Sequence, residues 1–288
     1  MMTIQTKVLY VIWDIATRIG MRRLGRCLQG TLPGQYQDSV FFLDNIEWQQ
    51  DQEDSIDEQQ SRQGYIALTI DDGICRTKGD HSMIHEVCEL LDRYQNSKAT
   101  FFVCTDYTTP EDAFILLDRG HELGNHLQKD ISNYYCNLSQ REFERELVQA
   151  THHLEDILSQ HRLRHIGSQS NYPSNKIRWF RAPQGRMSLA MSKALKNHEM
   201  INVMGDVYCD DWAFCEAVDG KDPDVQKQIA ATVADLLLRQ VQPHSIAIFH
   251  MPERHFREAS LLALEKFLKG CQRRNLKCVT MSQLAEHP

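Results

Sequence analysis

The pentapeptide Thr69-Ile70-Asp71-Asp72-Gly73 places two adjacent carboxylates directly after the apolar, strand-like run Tyr65 to Leu68. Buried carboxylates lose hydration, and each raises the pKa of the other unless a cation or a hydrogen-bond donor compensates. Such a pair indicates a metal site, with one carboxylate as ligand and the other available for proton transfer. The alternative is an exposed turn, because Asp-Asp-Gly also suits turns.

Outward from this stretch, apolar strand-like segments alternate with helical periodicity. Strands are predicted at Tyr65–Ile70, Ala99–Cys104, His121–His126, Trp179–Arg181, Met200–Val207, Ser245–His250 and Leu276–Met281. A long helix from Ser139 to Leu158 opens with the capping-box pattern Ser139 to Glu142. The alternation predicts an α/β fold with a parallel sheet, open or closed, whose functional residues lie at the C-terminal strand ends.

Polar side chains follow five of these predicted strands. They are Asp71 and Asp72, then His126 and Asp130, Arg181, Asp206 and Asp211, and finally His250. Divalent metals prefer neutral imidazole and carboxylate oxygen, so Asp72, His126 and Asp130 are the predicted ligands. The remaining groups suit hydrolysis of an amide or ester bond.

In that hydrolysis, Asp71 would take the proton of the attacking water and Arg181 would orient Asp71. His250 would protonate the leaving amine or alkoxide. A backbone N–H between Pro183 and Gly185 would help to hold the oxyanion.

The order of these motifs resembles the polysaccharide deacetylase family, also called the NodB homology domain or carbohydrate esterase family 4. The resemblance covers Tyr65 to Leu284. The family's T-F-D-D-G motif is similar to Thr69–Gly73, and its R-x-P-x-G motif is similar to Arg181–Gly185. Ile248-Phe249-His250 matches its fifth motif.

The resemblance implies a distorted (β/α)7 barrel and a metal-dependent deacetylase. It also implies that the first Asp of T-F-D-D-G is the base and the second a metal ligand, so these roles go to Asp71 and Asp72. The implied cofactor is a divalent ion, zinc as first expectation, with cobalt, manganese, nickel or iron as alternatives. The implied substrate is an acetylated sugar or oligosaccharide.

The chain departs from the family at two motifs. Asp130 stands where the usual H-[ST]-x-x-H motif has its second His, a change that favours a harder ion or weakens zinc binding. His81 and His85 also fit H-S-x-x-H, but they come too early in the chain, and a helix start or surface position is expected for them.

The fourth motif, D-x-x-D-W in the family, is stretched in this chain. Asp206 or Asp211 is therefore expected to support His250. Tyr208 and Trp212 are expected either to line the sugar pocket or to pack in the core or on the surface.

The bulk composition narrows the class of protein. Of 288 residues, 32 are Lys or Arg and 39 are Asp or Glu, so the net charge of -7 argues against nucleic acid as the main partner. No apolar run is long enough to predict a transmembrane segment, and no protein partner is implied. Nine Cys without CxxC spacing and the absence of a convincing signal peptide predict free thiols and a cytoplasmic location.

Two regions are expected along the chain. Residues 1–63 form a helical N-terminal extension with a Gln-rich, acidic linker at Gln49–Gln63, and residues 64–288 form the catalytic domain. The extension includes a basic amphipathic helix, expected to dock on its own domain, with a membrane surface or weak targeting as alternatives, and a possible short strand at Val40–Leu43.

The leading hypothesis is a divalent-metal hydrolase that removes N- or O-acetyl groups from a sugar or glycan. A second hypothesis is hydrolysis of another C–N bond, in a small cyclic amide or ureide. A third is a non-catalytic carbohydrate-binding relative, motivated by the altered second and fourth motifs.

Overall fold

A computed structural model describes residues 4–19, 32–43, 63–75, 81–165 and 176–286. The strands are β1 Gly64–Gly73, β2 Thr100–Val103, β3 Glu122–Asn125, β4 Trp179–Phe180, β5 Ile201–Asn202, β6 Ile246–His250 and β7 Leu276–Val279. The α-helices are α1 Ile4–Ile19, α2 Ile84–Arg93, α3 Pro110–Asp118, α4 Ser132–Cys136, α5 Gln140–Arg164, α6 Leu189–Asn197, α7 Asp211–Glu216, α8 Pro223–Gln240, α9 Ala259–Arg273 and α10 Met281–Glu286.

All strand pairs are parallel, in the order β5-β4-β3-β2-β1-β6, and β7 also pairs with β1. Ala67 pairs with both Ile246 and Val279, so β6 and β7 lie on opposite edges of β1. Beyond β5, Val207 forms a parallel bridge with Ala247 of β6, which curls the sheet back on itself. The fold is the expected α/β type, a distorted barrel of parallel strands covered by helices.

The central strand is buried, which explains its continuous apolar sequence. Ile66, Ala67, Leu68 and Ile70 have no exposed surface. In a parallel sheet covered by helices, both faces of a strand are apolar, so its residues do not alternate between polar and apolar. The polar end of β1 is therefore the exception that marks a site.

The helices follow the predicted periodicities. In α2 the apolar positions Ile84, Val87, Cys88, Leu90 and Leu91 are buried. The N-terminus of α5 carries the expected capping box, because Ser139 and Glu142 exchange side-chain and backbone hydrogen bonds.

The predicted strand Met200–Val207 is wrong beyond Asn202. Regular pairing with β4 stops because Arg181 takes over the next backbone acceptors: its Nε donates to the carbonyl of Val203 at 3.0 Å, and its Nη2 donates to that of Met204 at 3.4 Å. The carbonyls that a strand would use for its ladder thus hold a side chain of the candidate site.

The N-terminal helix docks on the domain, as expected. Helix α1 contacts α7 and α8. The segment Val40–Leu43 forms only isolated bridges, from Val40 to Val203 and from Phe42 to Ser245, in place of the possible strand. The linker Gln49–Gln63 falls outside the described residues apart from Gln63, and the division of the chain at residue 63 stays a prediction. Within the described ranges, no helix is long and apolar enough to span a membrane.

Candidate active site

A bulge at the end of β1 turns both of its carboxylates toward one cavity. Successive side chains of a regular strand point to opposite faces. Here the β1–β2 register shifts between Asp71 and Gly73, and Asp72 adopts a left-handed φ of 59°. A bulge re-aims side chains in this way, and such a backbone in a non-glycine residue costs about 1–3 kcal/mol. Asp71 and Asp72 therefore line the same space.

That space is a cavity of about 1030 Å³ at the C-terminal ends of the strands. It gathers most of the predicted site residues: Asp71, Asp72, His126, Asp130, Arg181, Gly185, Asp206, Tyr208, Trp212 and His250. Two do not line it. Pro183 is buried in a 3-10 turn, and Asp211 has no exposed surface.

Arg181 and Asp71 form a buried ion pair. Arg181 Nη1 donates to Asp71 Oδ1 at 2.7 Å and to Thr69 Oγ1 at 2.7 Å. The guanidinium lies 4.3 Å from the centre of the Phe102 ring, and its remaining donors are directed at backbone carbonyls. Burial lowers the pKa of Arg181, and the Asp71 carboxylate opposes this shift. These contacts fix Oδ1 of Asp71, and the residue lines the cavity.

His250 is held by Asp211, the second of the two Asp residues that the sequence offered. The Nδ1 of His250 lies 2.7 Å from Asp211 Oδ1, and its backbone N–H donates to Asp211 Oδ2 at 2.9 Å. Burial alone would lower the pKa of His250, but the Asp211 carboxylate more than reverses this and raises it to about 9. Because Nδ1 faces a carboxylate, it carries a proton, and Nε2 is the nitrogen available to the cavity.

Asp206 does not contact His250. Its two oxygens accept hydrogen bonds from the Ser245 hydroxyl at 3.0 Å and from the Ile246 backbone N–H at 2.8 Å. Asp206 thus fastens the start of β6, whereas Asp211 orients the histidine at its end.

The histidine after β3 is oriented for metal binding. His126 Nδ1 lies 2.8 Å from the carbonyl of Arg181, which can only accept, so Nδ1 carries the proton. The unprotonated Nε2 then lies 3.9 Å from Asp72 Oδ1 and 3.7 Å from Asp130 Oδ1. An imidazole whose other nitrogen donates to a backbone carbonyl is the usual arrangement of a histidine ligand. These residues therefore fit a divalent ion.

Two residues are candidates for the third ligand of a divalent ion, beside Asp72 and His126. Asp130, the predicted ligand, accepts the backbone N–H of Gln184 at 2.8 Å, and burial raises its pKa despite the neighbouring His126. Cys104 ends the apolar predicted strand Ala99–Cys104, so its sequence context predicts a buried free thiol. Its Sγ and ligand atoms of Asp72 and His126 all lie within 4.8 Å of one another. The signal that could have identified Cys104 is its place at the end of β2.

Sequence reasoning also missed Arg257, which precedes α9. Its Nη2 donates to Asp72 Oδ2 at 2.7 Å and to Glu253 Oε1 at 3.4 Å. Arg257 is fully buried, and although burial alone would lower its pKa, the Asp72 carboxylate raises it. A cation thus holds the oxygen of Asp72 that does not face His126. No strand pattern marks Arg257 in the sequence.

An aromatic wall borders the cavity. The hydroxyl of Tyr208 donates to Asp210 Oδ1 at 2.6 Å and accepts from Trp212 Nε1 at 3.3 Å. The other oxygen of Asp210 accepts from Trp13 Nε1 of α1 at 2.9 Å. Burial raises the pKa of Tyr208, and so does Asp210. Trp212 is 38% exposed, so its ring is available for stacking.

The N-terminal extension contributes to this cavity. Leu32, Phe41 and Phe42 line it. The hydroxyl of Tyr36 fastens this segment to the loop after β4, because it donates to the carbonyl of Gly185 at 3.1 Å and accepts from the Met187 N–H at 3.2 Å.

The two histidines of the early H-S-x-x-H string and the histidine directly before β3 do not line the cavity. His81 and His85 are exposed and do not line the cavity, as expected. His121 is buried, its Nδ1 accepts the Ala99 N–H at 3.3 Å, and burial lowers its pKa to about 3.

The fold is shared with solved deacetylases and with a CE4 family pseudoenzyme. Peptidoglycan deacetylase PdaC of Bacillus subtilis is 23% identical, with 78% of this chain and 91% of that chain covered and a TM-score of 0.57. The Bc1960 peptidoglycan N-acetylglucosamine deacetylase is 18% identical, with 89% and 98% covered and a TM-score of 0.62. Wild-type BA3943 of Bacillus anthracis, described as a CE4 family pseudoenzyme, is 19% identical, with 78% and 66% covered and a TM-score of 0.58.

At these identities the solved structures show the fold alone. A search of curated proteins found no match. The sequence model of the family described as polysaccharide deacetylase matches residues 58–203, just over half of the chain. The chain therefore belongs to the polysaccharide deacetylase family.

Proposed function

We propose that the protein is a divalent-metal-dependent hydrolase that removes the acetyl group from an N-acetylated sugar or glycan. The observation that carries this proposal is that one cavity is lined by both Asp71, fixed by Arg181, and His250, fixed by Asp211. A proton acceptor and a proton donor at one site are what amide hydrolysis requires.

The metal would be held by Asp72, His126 and Asp130, as the orientation of His126 Nε2 between the two carboxylates supports. When bound, it supplies a Lewis acid that polarises the acetyl carbonyl and acidifies the attacking water. Zinc is the first expectation, and cobalt, manganese, nickel and iron are alternatives. Cys104 is the competing third ligand, and a thiolate would shift the preference toward softer ions.

Asp71 is proposed as the general base. Its Oδ1 is fixed by Arg181, and its Oδ2 would accept the proton of the water whose oxygen attacks the acetyl carbon. Arg181 is a positioning residue in this scheme, because its donors are used by Asp71, Thr69 and backbone carbonyls.

His250 is proposed as the general acid. With its pKa raised to about 9, the imidazole is protonated at neutral pH. Its Nε2 would give a proton to the sugar nitrogen as the C–N bond breaks, which releases acetate and the free amine. Asp211 keeps Nδ1 protonated and so directs the acidic N–H to the cavity.

The sugar would stack on the aromatic wall. Trp212 offers an exposed ring, and Tyr208 is locked by its hydrogen bonds to Asp210 and Trp212. The backbone around Gly185, which lines the same cavity, is proposed to contribute to oxyanion binding. Pro183 would act only by shaping this turn.

A non-catalytic binding role is the alternative that the altered second motif supports. The pairs Asp71–Arg181 and His250–Asp211 favour the enzyme, because a binding protein has no need for a general base and a general acid in one cavity. The cytoplasmic location expected from the cysteines stays a prediction.

The test is a substrate panel. Acetate release is measured with Zn²⁺, Co²⁺ or Mn²⁺ on N-acetylated chitooligosaccharides, O-acetylated xylooligosaccharides and a cyclic ureide. We expect acetate from the N-acetylated sugars. Ring opening of the ureide without acetate release would replace the proposal by the second hypothesis, and inactivity with all substrates despite bound metal would favour a binding role.

A further inference from the structure

Helix α1 carries an apolar stripe that faces away from the domain. Val8, Val11, Ile12 and Ile15 are 53–55% exposed. Their spacing of three and four residues places them along one face of the helix. Exposed apolar residues are common singly, but a continuous stripe marks a surface that interacts with something.

This stripe is not the face that docks on the domain. Leu9, Tyr10 and Trp13 make the apolar contacts with the core. Asp14 forms an ion pair with Arg239 of α8 at 2.6 Å, and Trp13 donates to Asp210. The helix is thus apolar on two sides, and the domain accounts for only one of them.

The charge of the sequence segment that contains the stripe favours an anionic partner. The first 30 residues contain five basic side chains and one acid, in a chain whose net charge is -7. The basic residues are Lys7, Arg18, Arg22, Arg23 and Arg26. Among them Arg18 is largely exposed and shares Asp14 with Arg239, which neutralises the only acid of this segment.

We propose that α1 is an interfacial helix that binds the protein to an anionic lipid bilayer. Its 16 residues span about 24 Å, too short for a hydrocarbon core of about 30 Å, so the helix would lie in the plane of the surface. Apolar residues on one face with basic residues nearby are the pattern of such helices. A second copy of the chain fits the face less well, because two segments with the same positive charge would meet.

Binding of α1 to a bilayer would place the candidate active site near the lipid surface. Trp13 of α1 and the wall residues Tyr208 and Trp212 are joined through Asp210. A helix fixed on lipid would therefore fix the position of the cavity wall relative to the surface. This inference does not depend on the proposed deacetylase activity.

The experiment is vesicle flotation of the full chain. Vesicles of phosphatidylcholine alone are compared with vesicles that also contain phosphatidylglycerol. We expect the wild-type protein to float with the anionic vesicles and to float less at high salt. The double variant Val11→Ser/Ile12→Ser should bind these vesicles with roughly tenfold or more lower affinity than the wild type. The matched control is Ile131→Ser/Leu189→Ser, which removes two exposed apolar side chains elsewhere.

Thermal unfolding checks that both double variants are folded, and light scattering reports the oligomeric state. Equal flotation of the Val11→Ser/Ile12→Ser variant and the wild type would overturn the proposal. So would a wild-type dimer that this variant converts to a monomer without any lipid binding.

A second inference rests on a separate cluster at the ends of α3 and α5. His161 Nε2 lies 2.8 Å and His165 Nε2 3.0 Å from the same oxygen of Asp118. One ligand atom from each of these residues lies within 4.8 Å of the others, and none of the three residues lines the cavity of the candidate active site. His161 lies in the last turn of α5 and His165 is the residue directly after this helix, and both imidazoles reach the Asp118 carboxylate.

We infer that Asp118, His161 and His165 form a second binding site for Zn²⁺ or Ni²⁺. Bonds of about 2.0–2.1 Å in a tetrahedral site separate ligand atoms by about 3.3 Å, so the two distances between Asp118 and the histidines need to lengthen by only about 0.3–0.5 Å. His161 is 8% exposed and held against the ring of Phe114, whereas His165 and Asp118 are accessible. The ion would clamp α5 to α3. Arg164, which lies over the Phe114 ring, limits the affinity.

The test is calorimetric titration with Ni²⁺ of the wild type, His165→Gln, and the control His152→Gln, an exposed histidine of the same helix. We expect two ions per wild-type chain and per His152→Gln chain, but one per His165→Gln chain, with acetate release unchanged in both variants. A His165→Gln variant that binds as many ions as the wild type would overturn the inference. A wild type that binds a single ion, which His165→Gln then loses, would support the inference and count against the proposed catalytic metal site alone.

Discussion

Arg257 donates from Nη2 to Oδ2 of Asp72 at 2.7 Å, and both side chains are buried. The proposed metal ligand is thus held on one side by a cation and presents its other oxygen, Oδ1, toward His126. The pair lets a carboxylate remain in the barrel interior before any metal binds, because an uncompensated buried charge is strongly destabilising.

Replacing Arg257 by Met should lower the free energy of unfolding by about 3–5 kcal/mol, since Asp72 and Glu253 then lose their buried cation. Added Zn²⁺ should raise the melting temperature more in this variant than in the wild type, because the ion replaces part of the missing charge. Arg254→Met, which removes a partly exposed ion pair with Glu86, is the matched control. Similar losses of stability in the two variants would contradict the account.

The pH dependence of activity should report the Asp211–His250 pair. With a pKa of about 9, His250 is protonated below that pH, so kcat/KM should fall as the pH rises through about 9. In Asp211→Asn, the high-pH limb of the kcat/KM profile should shift to lower pH by roughly one pH unit or more, because the carboxylate that raises the pKa of His250 is gone.

Asp206→Asn is the control for this experiment, because the asparagine oxygen can still accept from the Ile246 N–H and its NH2 group can donate to the Ser245 hydroxyl oxygen. Its high-pH limb should stay where the wild type has it. A limb that moves in Asp206→Asn and not in Asp211→Asn would reverse the assignment of the two carboxylates.

The third metal ligand can be identified by two single variants. We expect Asp130→Ala to lower the affinity for Zn²⁺ roughly tenfold or more, and Cys104→Ser to change it little. Co²⁺ in the wild type should then show no thiolate-to-metal charge-transfer band. Such a band, lost in Cys104→Ser, would assign the position to Cys104.

His121 should make the fold sensitive to acid. Its pKa is lowered to about 3 by burial, from an ordinary value of 6.5, so the unfolded chain binds a proton that the folded chain does not bind. Stability should therefore fall as the pH drops below about 6.5, by about 1 kcal/mol from pH 6.5 to 5.5. Denaturant unfolding at both pH values should show a smaller loss in His121→Gln than in the control His152→Gln. Equal losses of stability in the two variants would contradict the assignment of this acid sensitivity to His121.

The sequence predicted those parts of the site that lie directly at strand ends. Asp71, Arg181 and His250 follow apolar strands, and the parallel topology brings them to one cavity. Arg257 could not be predicted in this way, because it lies in a loop before α9 and reaches Asp72 only through the fold. Cys104 is a buried free thiol, as the sequence predicted. Its position beside Asp72 and His126 could not be predicted, because a thiol suits an apolar strand as well as it suits a metal.

The choice between Asp206 and Asp211 needed three-dimensional contacts, since both follow β5 closely. The predicted strand Met200–Val207 extends beyond the observed end of β5 at Asn202 for a related reason. The residues from Val203 onward have a strand-like sequence, but Arg181 competes for their carbonyls, and this competition depends on a residue about twenty positions earlier.

The most direct test of the central claim is acetate release by Asp71→Asn. The assay uses an N-acetylated chitooligosaccharide, with metal content measured on the same sample and Asp106→Asn, an exposed carboxylate, as the control. We predict that Asp71→Asn keeps its metal and loses about 10²–10⁴-fold in kcat, because Asn cannot accept the proton of the water. Full activity in metal-loaded Asp71→Asn would contradict the account.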